Sequence, residues 1–315
     1  MTFAKLAAIL SLACAFLAPA PAMSADPTPA YRVLSSYPNG HYLENLAVRS
    51  NGDVLYTDYF ERVIHRWDGR VARDFAKLAN HPVNLLMMDG EWIVLTHGAK
   101  FTDGPSALKG SNALVHLSGD GKHVRRSIVL PDLVFGNGMA LLDASHVLIT
   151  DSVLGTIWKV DVKTGVAEPW LDSELLKPRA NAPLPGANGL RIHAGSVYVS
   201  NSATKKLYTV KVDTNHLPDG ALTELPTQPS GIDDFAIDRS GVFYIATHGE
   251  QVLKFDGRET TMLLDVAAVA GCTSAALSPD GRTIYVLGTG GLYEGKKDAA
   301  ALVAITLNDT ARSPQ

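Results

Sequence analysis

Cysteine is nearly missing from this 315-residue chain, with only Cys14 and Cys272 present. A disulfide-stapled scaffold is therefore excluded, and so is a thiolate-rich zinc site. Nor does any long stretch carry the 3.6-residue apolar period of an amphipathic helix, which excludes a helical body. Beyond the first residues, no apolar run is long enough to span a bilayer. Charge is balanced, 28 basic against 32 acidic residues. Nothing in that balance attracts nucleic acid or an anionic membrane, and neither is expected as a partner. The Gly-Xaa-Ser-Xaa-Gly elbow of serine hydrolases is also absent, which removes support for a serine nucleophile.

The first residues read as an export signal. Lys5 precedes an apolar run from Leu6 to Leu17, followed by small residues with cleavage expected after Ala22 or Ala25. Cys14 lies too early, behind a poor Ser11-Leu12-Ala13 lead-in, for a lipoprotein anchor. The expected organisation is a signal peptide over 1–25 and one domain over 26–315. The mature protein is expected in the periplasm or secreted, with Cys272 as a lone thiol. Oligomeric state is not legible.

What the chain does have is a repeat. Short apolar runs open beside a polar residue at Leu43-Glu44-Asn45-Leu46, Gly136-Asn137-Gly138-Met139, Ala187-Asn188-Gly189-Leu190 and Ile232-Asp233-Asp234-Phe235. Weaker members are Pro82-Val83-Asn84 and Cys272-Thr273-Ser274. The openings recur every 39 to 54 residues, the period of propeller blades. After each comes a turn such as Ser50-Asn51-Gly52-Asp53 or Ser278-Pro279-Asp280-Gly281, then a second strand such as Val54–Thr57 or Ile284–Leu287. The expected fold is all-β, a six-bladed β-propeller with four-stranded blades. The N-terminal strand Tyr31–Tyr37 should pair with Ala301–Leu307, closing the last blade and hiding its edge.

If the openings are the same strand of each blade, Glu44, Asn137, Asn188 and Asp233 converge on one axis. Taken singly, each reads equally well as a turn residue or a satisfied buried amide. Together they make two carboxylates and two amide oxygens, a donor set suited to a hard cation such as calcium. Two buried carboxylates without a cation would repel.

On these motifs the chain resembles the senescence-marker-protein/gluconolactonase superfamily of regucalcin-like six-bladed propellers, to which paraoxonases and diisopropylfluorophosphatase are structurally related. The resemblance spans residues 31–308. It implies that Glu44, Asn137, Asn188 and Asp233 hold a divalent cation, usually calcium, at the top of the central tunnel. Where Asp234 stands the family often has Gly, but paraoxonases have a second ligand-type residue, which makes Asp234 a further candidate ligand. His97 and His248 end the middle strands of the second and fifth blades, where paraoxonase-like sequences similarly place active-site histidines. Strand-end capping explains either histidine equally well. The second opening, Asn80-His81-Pro82-Val83-Asn84, lacks the Arg that sugar lactonases of this kind use on substrate hydroxyls.

The expected activity is calcium-dependent hydrolysis of a small-molecule lactone or related ester. The cation would polarise the carbonyl, and Asp233, with His97 or His248, would serve as general base. Phosphotriester hydrolysis on the same cation is the rival enzymatic reading. A non-catalytic scaffold with structural calcium is the reading from another class. A strictosidine-synthase-like, metal-free condensation does not need the four-residue oxygen set.

Overall fold

Runs rich in Val, Ile, Leu and Tyr, broken by Gly-containing turns, fold here as strands buried on both faces. The computed structural model describes residues 29–180, 184–226 and 228–307. It contains six four-stranded antiparallel sheets. Among the described residues, helix is limited to Pro105–Leu108 and three single 3-10 turns. No helix among them is long and apolar enough to cross a membrane. The expected signal segment, with Cys14, lies outside the described residues.

Within each blade the strands follow in chain order, and only the sixth departs from this. Its strands Cys272–Leu277, Thr283–Gly288 and Ala300–Thr306 are completed by Tyr31–Tyr37. Tyr31 pairs with Ile305 and Tyr37 with Ala300, as the closure argument expects. The Tyr37 hydroxyl also meets that of Tyr56 at 2.6 Å, tying the closing strand to the first blade.

The first strands of the blades are Leu43–Val48, His81–Met88, Gly136–Leu141, Ala187–His193, Phe235–Ile237 and Cys272–Leu277. Each packs against the first strands of both neighbouring blades, so the six form a closed ring. In five of them the register slips beside the opening residue: between Leu43 and Leu46, Pro82 and Asn84, Gly136 and Met139, Ala187 and Leu190, and Cys272 and Ser274. A β-bulge bends the strand locally and re-aims the side chain it carries. In the fifth blade regular pairing starts only at Phe235, and Asp233 and Asp234 bond Ala246 from outside it.

Hydrogen bonds to these bulges join neighbouring blades. Thr57 Oγ1 donates to the Val83 carbonyl at 3.4 Å, Asn84 Nδ2 to Asn137 at 3.2 Å and Thr150 Oγ1 to Asn188 at 2.6 Å. Ser200 Oγ donates to Asp233 at 2.8 Å, the Asp234 amide to Thr273 at 3.2 Å and Thr273 Oγ1 to Leu43 at 2.7 Å. The ring of seams is complete.

Two motif glycines follow from that closeness. A Cβ on Gly138 would stand 2.2 Å from the Asn188 carbonyl, and one on Gly189 would stand 2.4 Å from Asp234 Oδ1. Gly138→Ala should therefore cost ~1–3 kcal/mol by overpacking the seam. A denaturant midpoint unchanged from the parent protein would show that the third and fourth blades do not press together this way.

Candidate metal centre and cavity

The bulges bring the predicted residues together. Glu44, Asn137, Asn188 and Asp233 all line one cavity of about 750 Å³. The bulged or irregular backbone at each opening explains how, since it sends neighbouring side chains to different levels. Glu44 and Asp233 line the cavity, while Asn45 and Asp234 meet below its floor. At Gly138 and Gly189 the lower side chain is absent and the next blade's backbone fills the space.

Each asparagine is oriented by a serine. Asn137 Nδ2 donates to Ser152 Oγ at 3.3 Å, and Asn188 Nδ2 donates to Ser202 Oγ at 3.0 Å. The serines donate onward to the carbonyls of Ala187 and Ile232. With the amide nitrogens so engaged, the carbonyl oxygens are the ends left for the cavity. Ser152 and Ser202 were not expected from sequence. Their signal is the polar residue following Asp151 and Asn201 at the ends of the middle strands.

Electrostatics at this floor is unfavourable without a positive charge. Glu44 Oε2 is buried with no hydrogen-bond partner. Burial, then the nearby Asp234 charge, pushes the Glu44 carboxyl up to about 8, although a hydrogen bond from Tyr42 pulls the other way. Asp233 is pushed well above its ordinary value by burial and by the Glu44 and Asp234 charges. Among the described residues, no group of three or more His, Cys, Asp and Glu side chains is arranged to hold a metal ion. The set at the axis has two carboxylates, and its other donors are amides. An orphaned carboxylate oxygen, a second buried carboxyl and two oriented amide oxygens suit a hard divalent cation.

Asp234 does not join this set. Its Oδ2 accepts from Arg191 Nη2 at 2.6 Å, Ser274 Oγ at 3.0 Å and Asn45 Nδ2 at 3.3 Å, and its Oδ1 accepts from the Phe235 amide at 2.8 Å. The expected extra ligand is instead one end of a buried ion pair below the floor.

The two histidines occupy the same place in their blades and both line the cavity, but their partners differ. Thr96 pairs across to Pro82, just before the Val83 opening, as Asp151 pairs to Gly136 and Asn201 to Ala187, so His97 stands in the place of Ser152 and Ser202. The His97 Nε2 lies 2.8 Å from the Gly136 carbonyl and its Nδ1 3.0 Å from the Tyr59 hydroxyl. Burial lowers its pKa to about 4, so the ring is neutral. With both nitrogens bonded, His97 has no free ring nitrogen for the expected role of base and holds the loop at Tyr59 and Phe101.

His248 stands in the same place of the fifth blade, three residues after Ile245 as Ser152 is three after Ile149. Its Nδ1 lies 3.1 Å from Asp233 Oδ2 and its Nε2 3.0 Å from Ser202 Oγ. Ser202 spends its one proton on Ile232, so His248 Nε2 must donate to it. The lone pair of Nδ1 then faces Asp233, and that contact holds only if one proton lies between them. Burial pushes His248 down to about 4, which puts that proton on Asp233 when no cation is bound. His248 also has φ +61°, the left-handed region that few non-glycine residues adopt.

Above the floor the walls are aromatic and aliphatic: Tyr42, Tyr59, Phe101, Phe135 and Tyr293, with Leu108 and Leu184. Phe101 and Leu108 come from the loop between strands Glu91–His97 and Asn112–Ser118. Tyr293 and Glu294 come from the Gly-rich loop of the sixth blade, which sequence reasoning passed over.

The chain has the six-bladed propeller fold of regucalcin- and gluconolactonase-like proteins. It is similar to a luciferin-regenerating enzyme, with a TM-score of 0.65 at 14% identity over 89% of this chain and 96% of the other. For a gluconolactonase from Xanthomonas campestris the values are 0.65 and 12% over 88% and 89%. For the calcium-binding protein regucalcin from Agrobacterium tumefaciens they are 0.63 and 16% over 89% and 96%. In sequence it is similar to a candidate hetero-Diels-Alderase of Sarocladium schorii, 26% identical over 85% of this chain and 72% of the relative. A second candidate of that name, from Phoma sp, is 24% identical over 86% and 90%. No family model matches the chain.

The floor predicts a pH signature. The folded, cation-free protein keeps a proton on Glu44 up to about pH 8, whereas an unfolded Glu loses it near 4.5. Its stability should therefore fall as pH rises across that window. Calcium should raise the melting temperature most at the alkaline end. A metal-free melting temperature that rises steadily from pH 5 to 8 would count against the buried pair.

Proposed function

We propose that the protein is a divalent-cation-dependent hydrolase, with calcium as the expected ion and a lactone or related ester as substrate. The observation that carries this reading is the floor itself, where Glu44 and Asp233 are buried together with Glu44 Oε2 unpartnered. Glu44, Asn137, Asn188 and Asp233 would hold the ion. When bound it would supply Lewis-acid polarisation of the substrate carbonyl.

The chain's own residues do the rest. Asp233 and His248 share one proton along a 3.1 Å contact, and Ser202 holds the imidazole in the tautomer that presents Nδ1 to Asp233. A pair able to pass a proton between carboxylate and imidazole can take one from an attacking water. Tyr42, hydrogen-bonded to Glu44, borders the same space. The apolar walls exclude bulk water and strengthen each of these polar contacts.

Likeness to the two candidate hetero-Diels-Alderases supports a second reading, cycloaddition in a shaped apolar cavity. We also propose export by residues 1–25, placing the protein in the periplasm or outside the cell.

Metal analysis of purified protein, then a lactone panel with and without chelator, separates these readings. Bound calcium and chelator-sensitive turnover are expected. Lactone hydrolysis at full rate in metal-stripped Asp233→Asn would refute the mechanism. That variant should lose ~10²–10⁴-fold in rate, the range of one general base. Glu44→Gln should be partly rescued by excess calcium. His248→Asn should lower the rate, whereas His97→Asn should chiefly lower the melting temperature.

A further inference from the structure

The walls of the cavity carry information that the floor does not. Phe101 is the hub of an aromatic cluster, with ring centroids 5.2 Å from Tyr42, 4.9 Å from Tyr59, 5.5 Å from Phe60, 5.7 Å from Tyr293 and 6.4 Å from Phe135. The Phe101 and Phe135 planes lie within 10° of parallel. These rings come from separate blades: Tyr42 leads into the first, Phe101 follows the second's middle strand, Phe135 precedes the third, and Tyr293 lies on the sixth-blade loop. Phe101 and Tyr293 therefore meet across the mouth above Glu44.

Polar groups on these walls are few and mostly engaged. Among the described residues, no Lys, Arg or Gln lines the cavity. Ser152 Oγ donates to the Ala187 carbonyl, Thr273 Oγ1 donates to Leu43, and the Tyr59 hydroxyl is held by His97 and the Phe101 amide. Thr102, Thr289, the Tyr293 hydroxyl and the rim carboxylate of Glu294 remain. A polyol such as a sugar lactone would bring several hydroxyls against aromatic faces, and each hydroxyl stripped of water without a partner is disfavoured. A flat apolar body loses nothing there and stacks on the rings.

We infer that this cavity takes a substrate with an aromatic or conjugated planar body, held by Phe101, Tyr293 and Phe135, and with its single polar carbonyl end on the oxygen floor. The inference rests on reading this cavity as the substrate site. It does not depend on whether the reaction there is hydrolysis.

Two measurements on the full-length calcium-supplied protein test it. The first is calorimetric binding of a non-hydrolysable aryl-fused six-membered lactam, to the parent protein and to Phe101→Ala and Tyr293→Ala. The second is the kcat/KM ratio of the corresponding aryl lactone to gluconolactone. Tyr293 is 54% exposed, so its replacement should leave the fold intact even if Phe101→Ala does not. We expect the lactam to bind and each substitution to weaken it about tenfold, the scale of a lost aromatic contact. We expect the aryl lactone to be preferred. Absence of lactam binding, or binding unchanged in Tyr293→Ala, overturns the inference. A preference for gluconolactone overturns it while upholding the hydrolase. Lactam binding that weakens as expected, with no lactone turned over, upholds it and removes the hydrolase.

Discussion

The arrangement depends on one repeated contact: a hydrogen bond from each blade to the bulged carbonyl that opens the next. Propeller blades are joined by side-chain packing and not by a continuous sheet, so blade position alone would leave the central residues loosely defined. Here Thr57, Asn84, Thr150, Ser200, Asp234 and Thr273 each reach across a seam. The bonded carbonyl belongs to Asn137, Asn188 or Asp233 in three of the six seams. The bond that holds two blades together thus also sets the backbone from which a cavity oxygen projects. Gly138 and Gly189 belong to the same constraint, because a side chain there would push the seams apart.

This geometry places like charges together, and the protein treats the two levels of the tunnel differently. Below the floor Asp234 receives an arginine, a hydroxyl, a side-chain amide and a backbone N–H. That is full compensation of a buried carboxylate. One residue earlier, Asp233 faces Glu44 with only neutral hydrogen-bond partners and a neutral imidazole. The asymmetry between Asp233 and Asp234 marks the upper level as the place where charge is left to be matched from outside.

Much of this was legible in sequence because two periodicities coincide. The 39 to 54 residue spacing identifies the blades, and Glu44, Asn137, Asn188 and Asp233 stand at the same phase of each. The split between Asp233 and Asp234 was not legible, because both precede the paired strand and Asp234's partner Arg191 lies 43 residues away in another blade. The histidines share one phase, but their partners were not legible. Leu95-Thr96-His97-Gly98 and Ala246-Thr247-His248-Gly249 look alike and both set His where Ser152 and Ser202 stand, yet His97 meets the Gly136 carbonyl and Tyr59 while His248 meets Ser202 and Asp233. The aromatic walls were least legible, since Phe101 and Tyr293 sit on loops with no period and meet through the closure of the ring.

Floor and walls thus have separate origins, and this bears on the choice between the two chemical readings. Inner strands hold the floor, and the same seams that close the fold hold them. Loops from three blades and the segment leading into the first make the walls, which can change without disturbing those seams. Relatives named for lactone hydrolysis and for cycloaddition can share one scaffold on that basis. An apolar cavity suits either chemistry, so the walls do not decide. Burying two carboxylates that face each other is costly, and a cation offsets that cost whichever chemistry the walls accept. For the hydrolase proposed above, that cation and the Asp233–His248 pair together supply what metal-assisted attack by water requires.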